Sequence, residues 1–451
     1  MTTNKDRTLV ERDSSIEGLS ATKRWASTSG LLALPMLFGM NLTNTSEVGV
    51  RKILSNSGVL VELSKLDRWV YVTSAMFIGA FIFSMGLFIA GLYKKSAHSR
   101  FKELFVICAG LFALSGLVLP HSDNIAVLTL TRFLVGVASG IACGLCMVYY
   151  MAVHPENVGK KVCTAHGLLI CVGVMLQGRL VDIVPSDYSY LIFYLTTLLS
   201  TISLVLSLLF VKNIKEKKSS IEVVLISDGS SYESQRRTDR MSLFLIGSCL
   251  VMHVLQQLTG INPVLVNAKK LVFNSTDLVA MRPAKTFFDL AGLLGAVAGV
   301  GLMMVCPSKF TWIILVSSVA TGLSYVPFFM DGFEVGRWWG AGLYYFFFSI
   351  MLAGLPWMLP SLVLTDKKNV SLAAGLGSLC NWLISFGLIM GGDLIINNLG
   401  SEIMFAIFMV CSFMQGLFGW WLLRYIQTNK KPASTKDFSM ESSGSAITTE
   451  V

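Results

Sequence analysis

The sequence predicts an all-α membrane protein with twelve transmembrane helices in two six-helix bundles. Three observations predict it. Of 451 residues, 53% are hydrophobic and only 14% are charged, against about 25% charged in an ordinary soluble domain. Apolar runs near the ~20-residue spanning length recur along the whole chain. The Lys and Arg residues gather on alternate loops, as the positive-inside rule requires when an even number of spans leaves both termini in the cytoplasm.

The elements follow in order. Residues 1–26 are a polar tail with Lys5, Arg7, Arg12, Lys23 and Arg24, and they lack the apolar core of a signal peptide. Residues 27–211 form the first bundle, with spans near 27–46, 69–92, 103–120, 125–150, 162–180 and 189–211. A polar cytoplasmic linker follows at 212–242. The second bundle, 243–426, has spans near 243–265, 285–306, 310–330, 338–362, 372–397 and 402–426, and a cytoplasmic tail runs from 427 to 451. Six spans, a basic linker and six more spans is the layout of stacked repeats, which place a substrate between the halves near the midplane.

The net charge of +9 is spread over many short loops, among them Lys94-Lys95, Lys160-Lys161, Lys309 and Lys367-Lys368. It is therefore an orientation signal, and nucleic acid is excluded as a partner. All nine cysteines fall in apolar runs, so no disulfide framework is expected. Cys143 and Cys146 form a CxxC in mid-span, read as packing rather than metal or redox chemistry. No phosphate-binding glycine loop of the GxxxxGK[ST] type is present, so ATP-driven transport has no support. No nucleophile–base pair or metal cluster suggests an enzyme, and no cofactor is expected.

The most informative segment is Gln256-Gln257-Leu258-Thr259-Gly260-Ile261-Asn262-Pro263 in the seventh span. Amides within hydrocarbon are costly unless they face a cavity or one another. On a straight helix Asn262 does not share a face with both glutamines. Pro263 lacks the N–H that would bond residue 259, so the helix should open there, and broken helices are tolerated at membrane depth where they line a cavity. Each amide offers two donors and an acceptor, a set suited to vicinal hydroxyls. The alternative is that the three amides simply bond neighbouring helices together.

This segment resembles the QQxSGIN signature of the sugar porter family, within the major facilitator superfamily. Further motifs follow in order. Phe38-Gly39-Met40-Asn41 resembles FGYN, and Arg132-Phe133-Leu134-Val135-Gly136 resembles RFxxG. Tyr149 and Pro155 stand where that span's exit has PxYxxExxP. Thr164-Ala165-His166 resembles TLH, Leu355-Pro356-Trp357 resembles IPW, and Asn381-Trp382 resembles NW. The resemblance implies facilitative transport of a hexose such as glucose or fructose by alternating access, with substrate contacts from Gln256, Gln257, Asn262, Trp357, Asn381 and Ser385. The tryptophan ring would pack on the C–H face of a sugar. It also implies a multi-pass protein of the plasma membrane.

Departures from the family pattern are specific. Gly167 stands where the fifth span has glutamine, Leu293 and Ser385 stand where the eighth and eleventh have asparagine, and Val266-Asn267 replaces the tyrosine pair of the outer gate. The arginine runs after spans two and eight read Lys94-Lys95-Ser96 and Pro307-Ser308-Lys309, and their glutamate partners read Ala152 and Leu362. These losses predict a shifted balance between inward-open and outward-open states. A non-transporting sugar sensor or degenerate homologue stays open as a reading, as does a related solute such as a polyol, urate or dehydroascorbate.

Proton-coupled relatives carry aspartate where Asn41 stands, and asparagine does not titrate. Asp289 is expected at the outer interface in solvent, and His166 and His253 are expected to be satisfied packing residues. Uniport is therefore favoured over symport. Gly136, Gly140 and Gly144 repeat every four residues, which suits close helix packing. Asn274-Ser275-Thr276 is the candidate glycosylation sequon, since the Asn41 and Asn44 sequons lie in or beside the first span. Thr449-Glu450-Val451 matches a C-terminal peptide for a PDZ-type partner.

Overall fold

The computed structural model describes residues 20–43, 69–93, 97–122, 124–185, 188, 190–214, 229–268, 282–330 and 334–429. The described residues are helical with short connections and contain no strand. The helices in chain order are α1 (Ala21–Ser29), α2 (Ala33–Thr43), α3 (Trp69–Leu92), α4 (Phe101–Val118), α5 (Ile125–Val153), α6 (Glu156–Ile183) and α7 (Tyr190–Phe210) in the first half. The second half holds α8 (Gly229–Leu258), α9 (Ile261–Ala268), α10 (Arg282–Val305), α11 (Phe310–Leu323), α12 (Glu334–Met351), α13 (Leu355–Val363), α14 (Lys367–Leu399) and α15 (Ser401–Asn429). Among the described residues, 11 helical stretches are long and apolar enough to cross a membrane.

The expected first span, 27–46, is not among them; it is built in two pieces, and residues 44–46 lie outside the described residues. Ser20 caps α1, accepting from the Lys23 amide at 3.4 Å. The chain then turns at residues 30–32 before α2 begins. The Gly30 carbonyl at that turn accepts from Ser203 Oγ at 2.7 Å, so the break stays satisfied inside the bundle. A second difference lies at residues 229–242, expected as linker. Helix α8 already begins at Gly229, because no glycine or proline between there and Leu258 stops it, apart from the tolerated Gly247.

Lipid-facing positions such as Ile82, Ile107, Leu198, Val316 and Leu417 are exposed and apolar, as a hydrocarbon solvent requires. Close helix pairs pass through glycine. A Cβ on Gly136 would collide with the Met76 carbonyl, which locks α5 onto α3. Gly140 packs on the same helix and Gly144 faces Ser378 of the other half, so the glycine repeat serves packing as expected. All nine cysteines are free.

The halves meet along α3 with α14, α6 with α10, and α5 with α13. On the face that carries both ends of the described chain, the seam is apolar and hydroxylic. Ser84 Oγ and Ser378 Oγ lie 2.7 Å apart, and the Ala97 amide donates to Ser371 Oγ at 3.3 Å. Lys160 Nζ lies 5.5 Å from the Phe310 ring centre, across the two halves. One buried cluster, including Tyr149, Tyr150, Met358, Val363 and Ala373, runs through both halves here. Among the described residues, apolar packing and hydroxyl contacts join the halves here; Lys94-Lys95-Ser96, where the family's ionic latch was expected to be lost, lies outside the described residues.

The opposite face carries charge. Asp289, expected in solvent, is only 3% exposed. Its carboxylate accepts from Lys285 Nζ at 2.7 Å, one turn away on α10. Arg179 on α6 of the other half reaches the same oxygen at 3.9 Å and donates to Thr286 Oγ1 at 2.6 Å. The sequence places Asp289 near a span end, but it does not show that α6 lies over it.

Candidate functional site

Two helix breaks build the site. In the seventh span, Gly260 adopts φ +86, a left-handed conformation that suits glycine. Pro263 has no N–H for the Thr259 carbonyl. Tyr325 Oη takes that orphan, donating to Thr259 O at 2.6 Å. The break rotates α9 against α8 and brings Asn262 onto the side of the glutamines, as the sequence predicts.

The second break lies in the tenth span, at residues 352–354 between α12 and α13. Pro356 cannot donate to the Leu352 carbonyl. Gln256 Nε2 donates instead, at 3.0 Å to Leu352 O and 2.8 Å to Ala353 O. One amide therefore clamps the two broken helices together.

The remaining amides form a continuous chain. Asn381 Nδ2 donates to Gln256 Oε1 at 2.9 Å, and Gln257 Nε2 donates to Asn381 Oδ1 at 2.9 Å. Asn262 Nδ2 donates to Gln257 Oε1 and to Ser385 Oγ, both at 2.8 Å. Ser385 Oγ donates to the Asn381 carbonyl at 2.8 Å. The amides are thus bonded to one another and to broken-helix carbonyls. Among the described residues, Asn262 Oδ1 and the second N–H of both Gln257 and Asn381 are unused in this chain.

The same groups face an opening between the halves. It is a cavity of about 80 Å³ lined by Gln256, Gln257, Asn262, Asn381 and Trp357. Ser385 is fully buried behind them and holds Asn262. Trp357 packs edge-on to His253 at 4.7 Å and lies 5.9 Å from Trp382. Trp382 Nε1 donates to Ser378 Oγ at 3.1 Å.

The wall from the first half is different. It is mostly apolar, with Phe38, Leu42, Met147 and Ile170. His166 joins this wall and is fully buried, yet neither ring nitrogen has a hydrogen-bond partner. This corrects the expectation of a satisfied packing histidine, for no polar atom of a neighbouring helix meets the ring. His253 is likewise buried, with Nδ1 unpartnered, and corrects the same expectation. The sequence reasoning also missed Tyr345, Ser349 and Cys171, whose thiol lies 3.8 Å from each of the two hydroxyls. No motif marks them. Pro356 was a usable signal for the freed Leu352 carbonyl.

Asn41 is fully buried and donates from Nδ2 to Leu37 O at 2.8 Å, which removes its sequon from consideration. Its backbone carbonyl accepts from the buried Arg132 guanidinium at 3.0 Å. Among the described residues no group of His, Cys, Asp and Glu is arranged to hold a metal. The Asn274 sequon, the Thr449–Val451 tail and the side chains of Val266 and Asn267 lie outside the described residues.

No family model matches this sequence, and no characterised sequence matches it either. Solved structures do. The proton:xylose symporter XylE bound to 6-bromo-6-deoxy-D-glucose superposes with a TM-score of 0.69 at 15% identity, over 90% of this chain and 97% of that one. The inward open conformation of the xylose transporter XylE from E. coli gives 0.59 at 16% identity, over 88% and 96%. The human organic anion transporter MFSD10 gives 0.62 at 13% identity, over 89% and 100%. The chain therefore has the twelve-span fold of the major facilitator superfamily, as its sequence motifs predict.

Proposed function

We propose that this protein carries a monosaccharide, a hexose such as glucose or fructose, across the plasma membrane by facilitated diffusion, with both termini cytoplasmic. One observation carries the reading: amides of the second half, held on the broken seventh span and on α14, line a cavity between the halves. The likeness to xylose transporters supports the substrate class. Gln256, Gln257, Asn262 and Asn381 exchange amide–amide bonds for bonds to sugar hydroxyls, an exchange of low net cost because like bonds replace like. Trp357 packs on the ring, and Ser385 holds Asn262 in place. Asn41 beside Arg132 supplies no titratable group, which supports uniport.

A non-transporting sugar sensor is the second reading, and the closed amide chain is the observation behind it. Purified protein in liposomes, offered labelled D-glucose, D-fructose and D-xylose with and without a pH gradient, separates the two. Saturable entry that stops at equal concentrations is expected, with Gln256→Ala weakening apparent affinity about tenfold, since truncation removes an amide that would bond a sugar hydroxyl. Accumulation driven by the pH gradient would refute uniport, and binding without entry would establish the sensor.

A further inference from the structure

Alternating access needs a substrate that both halves grip, because a ligand shifts a two-state balance only through different affinities for the two states. The second half grips with amides. The first-half wall offers Phe38, Leu42, Met147 and Ile170, which accept no hydrogen bond. Cys171 on that wall is already engaged with Tyr345 and Ser349 of the other half.

His166 is the exception. It lines the cavity, is fully buried, and neither Nδ1 nor Nε2 has a partner. Its ring meets the Tyr150 ring edge-on at 6.0 Å, which fixes the plane without satisfying a nitrogen. The next residue, Gly167, also lines the cavity, and a Cβ there meets nothing within 4 Å. So space for a ligand adjoins the ring. A neutral imidazole has one donor and one acceptor, and leaving both unmet in an apolar wall is costly. A hydroxyl, itself donor and acceptor, satisfies one of them.

We infer that His166 is a specificity-determining contact of the first half, reading a single hydroxyl of the monosaccharide while the amides read the others. This rests on the monosaccharide reading above. The apolar remainder of the wall makes that one hydroxyl decisive and leaves the neighbouring part of the sugar unselected.

The test is a ligand–mutant cycle. Binding of the best ligand among D-glucose, D-fructose and D-xylose, and of its monodeoxy derivatives, is measured by calorimetry on wild type, His166→Phe, His166→Gln and Gln256→Ala. In wild type one deoxy derivative is expected to bind about tenfold more weakly than its parent. In His166→Phe that derivative and the parent should bind alike, while the other derivatives keep their wild-type ratios. His166→Gln, which keeps a donor and an acceptor, should restore discrimination. Thermal unfolding of each variant checks that it is folded. Unchanged parent affinity in His166→Phe, with Gln256→Ala impaired, overturns the role of His166 and leaves the transporter reading standing. An equal loss for parent and every derivative in His166→Phe also overturns it, by showing a structural effect. If wild type binds no sugar saturably, both readings fall.

Discussion

Gly167 shows how much one side chain decides at the residue scale. It is helical, it lines the cavity, and a Cβ added there meets open space. The sugar porter pattern that the sequence resembles has an amide at this position. Gly167→Gln should therefore fit, add a hydrogen-bonding group to the apolar wall, and tighten monosaccharide binding about five- to tenfold by calorimetry. Stability should not fall, since glycine within a helix is about 1 kcal/mol worse than most residues. Weaker binding would show that the space is needed by the ligand itself. The amide chain was legible in part at this scale. Gln256, Gln257 and Asn262 were visible as polar residues in an apolar span. That they bond one another, with Ser385 behind them, was not, because a hydrogen bond between spans depends on which helices adjoin.

Among the elements, the two breaks were legible to different degrees. Gly260 and Pro263 announced the first. The second needed the observation that Pro356 strands the Leu352 carbonyl, and its partner Gln256 lies in another span. Helix α1 was not foreseen as separate from the first span, because Gly30 is tolerated inside many helices. It docks by Trp25, which lies 4.7 Å from the His154 ring, and by Thr28 Oγ1, 2.7 Å from His154 Nε2. Burial pushes His154 below its ordinary pKa, and the charge of Arg24 adds to this. The neutral form is thus the docked form. Because the folded value is the lower one, the docking contribution is complete above the unfolded value near ~6.5 and weakens as pH falls through and below it. Hydrogen exchange over residues 21–29, corrected for the intrinsic rate, should quicken between pH 8 and pH 5.5. It should become pH-insensitive in His154→Gln. Equal protection at both pH values would contradict the docking account.

For the whole molecule, the described residues join the halves differently on the two faces. On the termini face they meet through apolar packing, the Ser84–Ser378 hydroxyls and Lys160 over Phe310. The opposite face joins its halves through Arg179, Asp289 and Lys285. Asp289→Asn removes the carboxylate that Lys285 and Arg179 share across the seam, a loss of about 1–3 kcal/mol of closure. Spin labels at the exposed Ile183 and Val335, on the first and second halves, should then show a larger population at long distance. An unaltered distance distribution would deny the triad any part in closing that face. Position in sequence suggested solvent for Asp289; the packing of α6 against α10 placed it in the interior instead.

What the sequence determined by itself was the fold class and the first helix break. These follow from local properties: hydrophobic length, loop charge, and the bonds that glycine and proline permit or forbid. The tertiary structure alone decided that the amides form one connected chain, that His166 is left without a partner at the cavity wall, and that Arg179, Asp289 and Lys285 join the halves on the face away from the termini. Each of those depends on distances between residues far apart in the chain. Such distances are set by which helix faces pack together, and a single sequence carries no local signal of that choice.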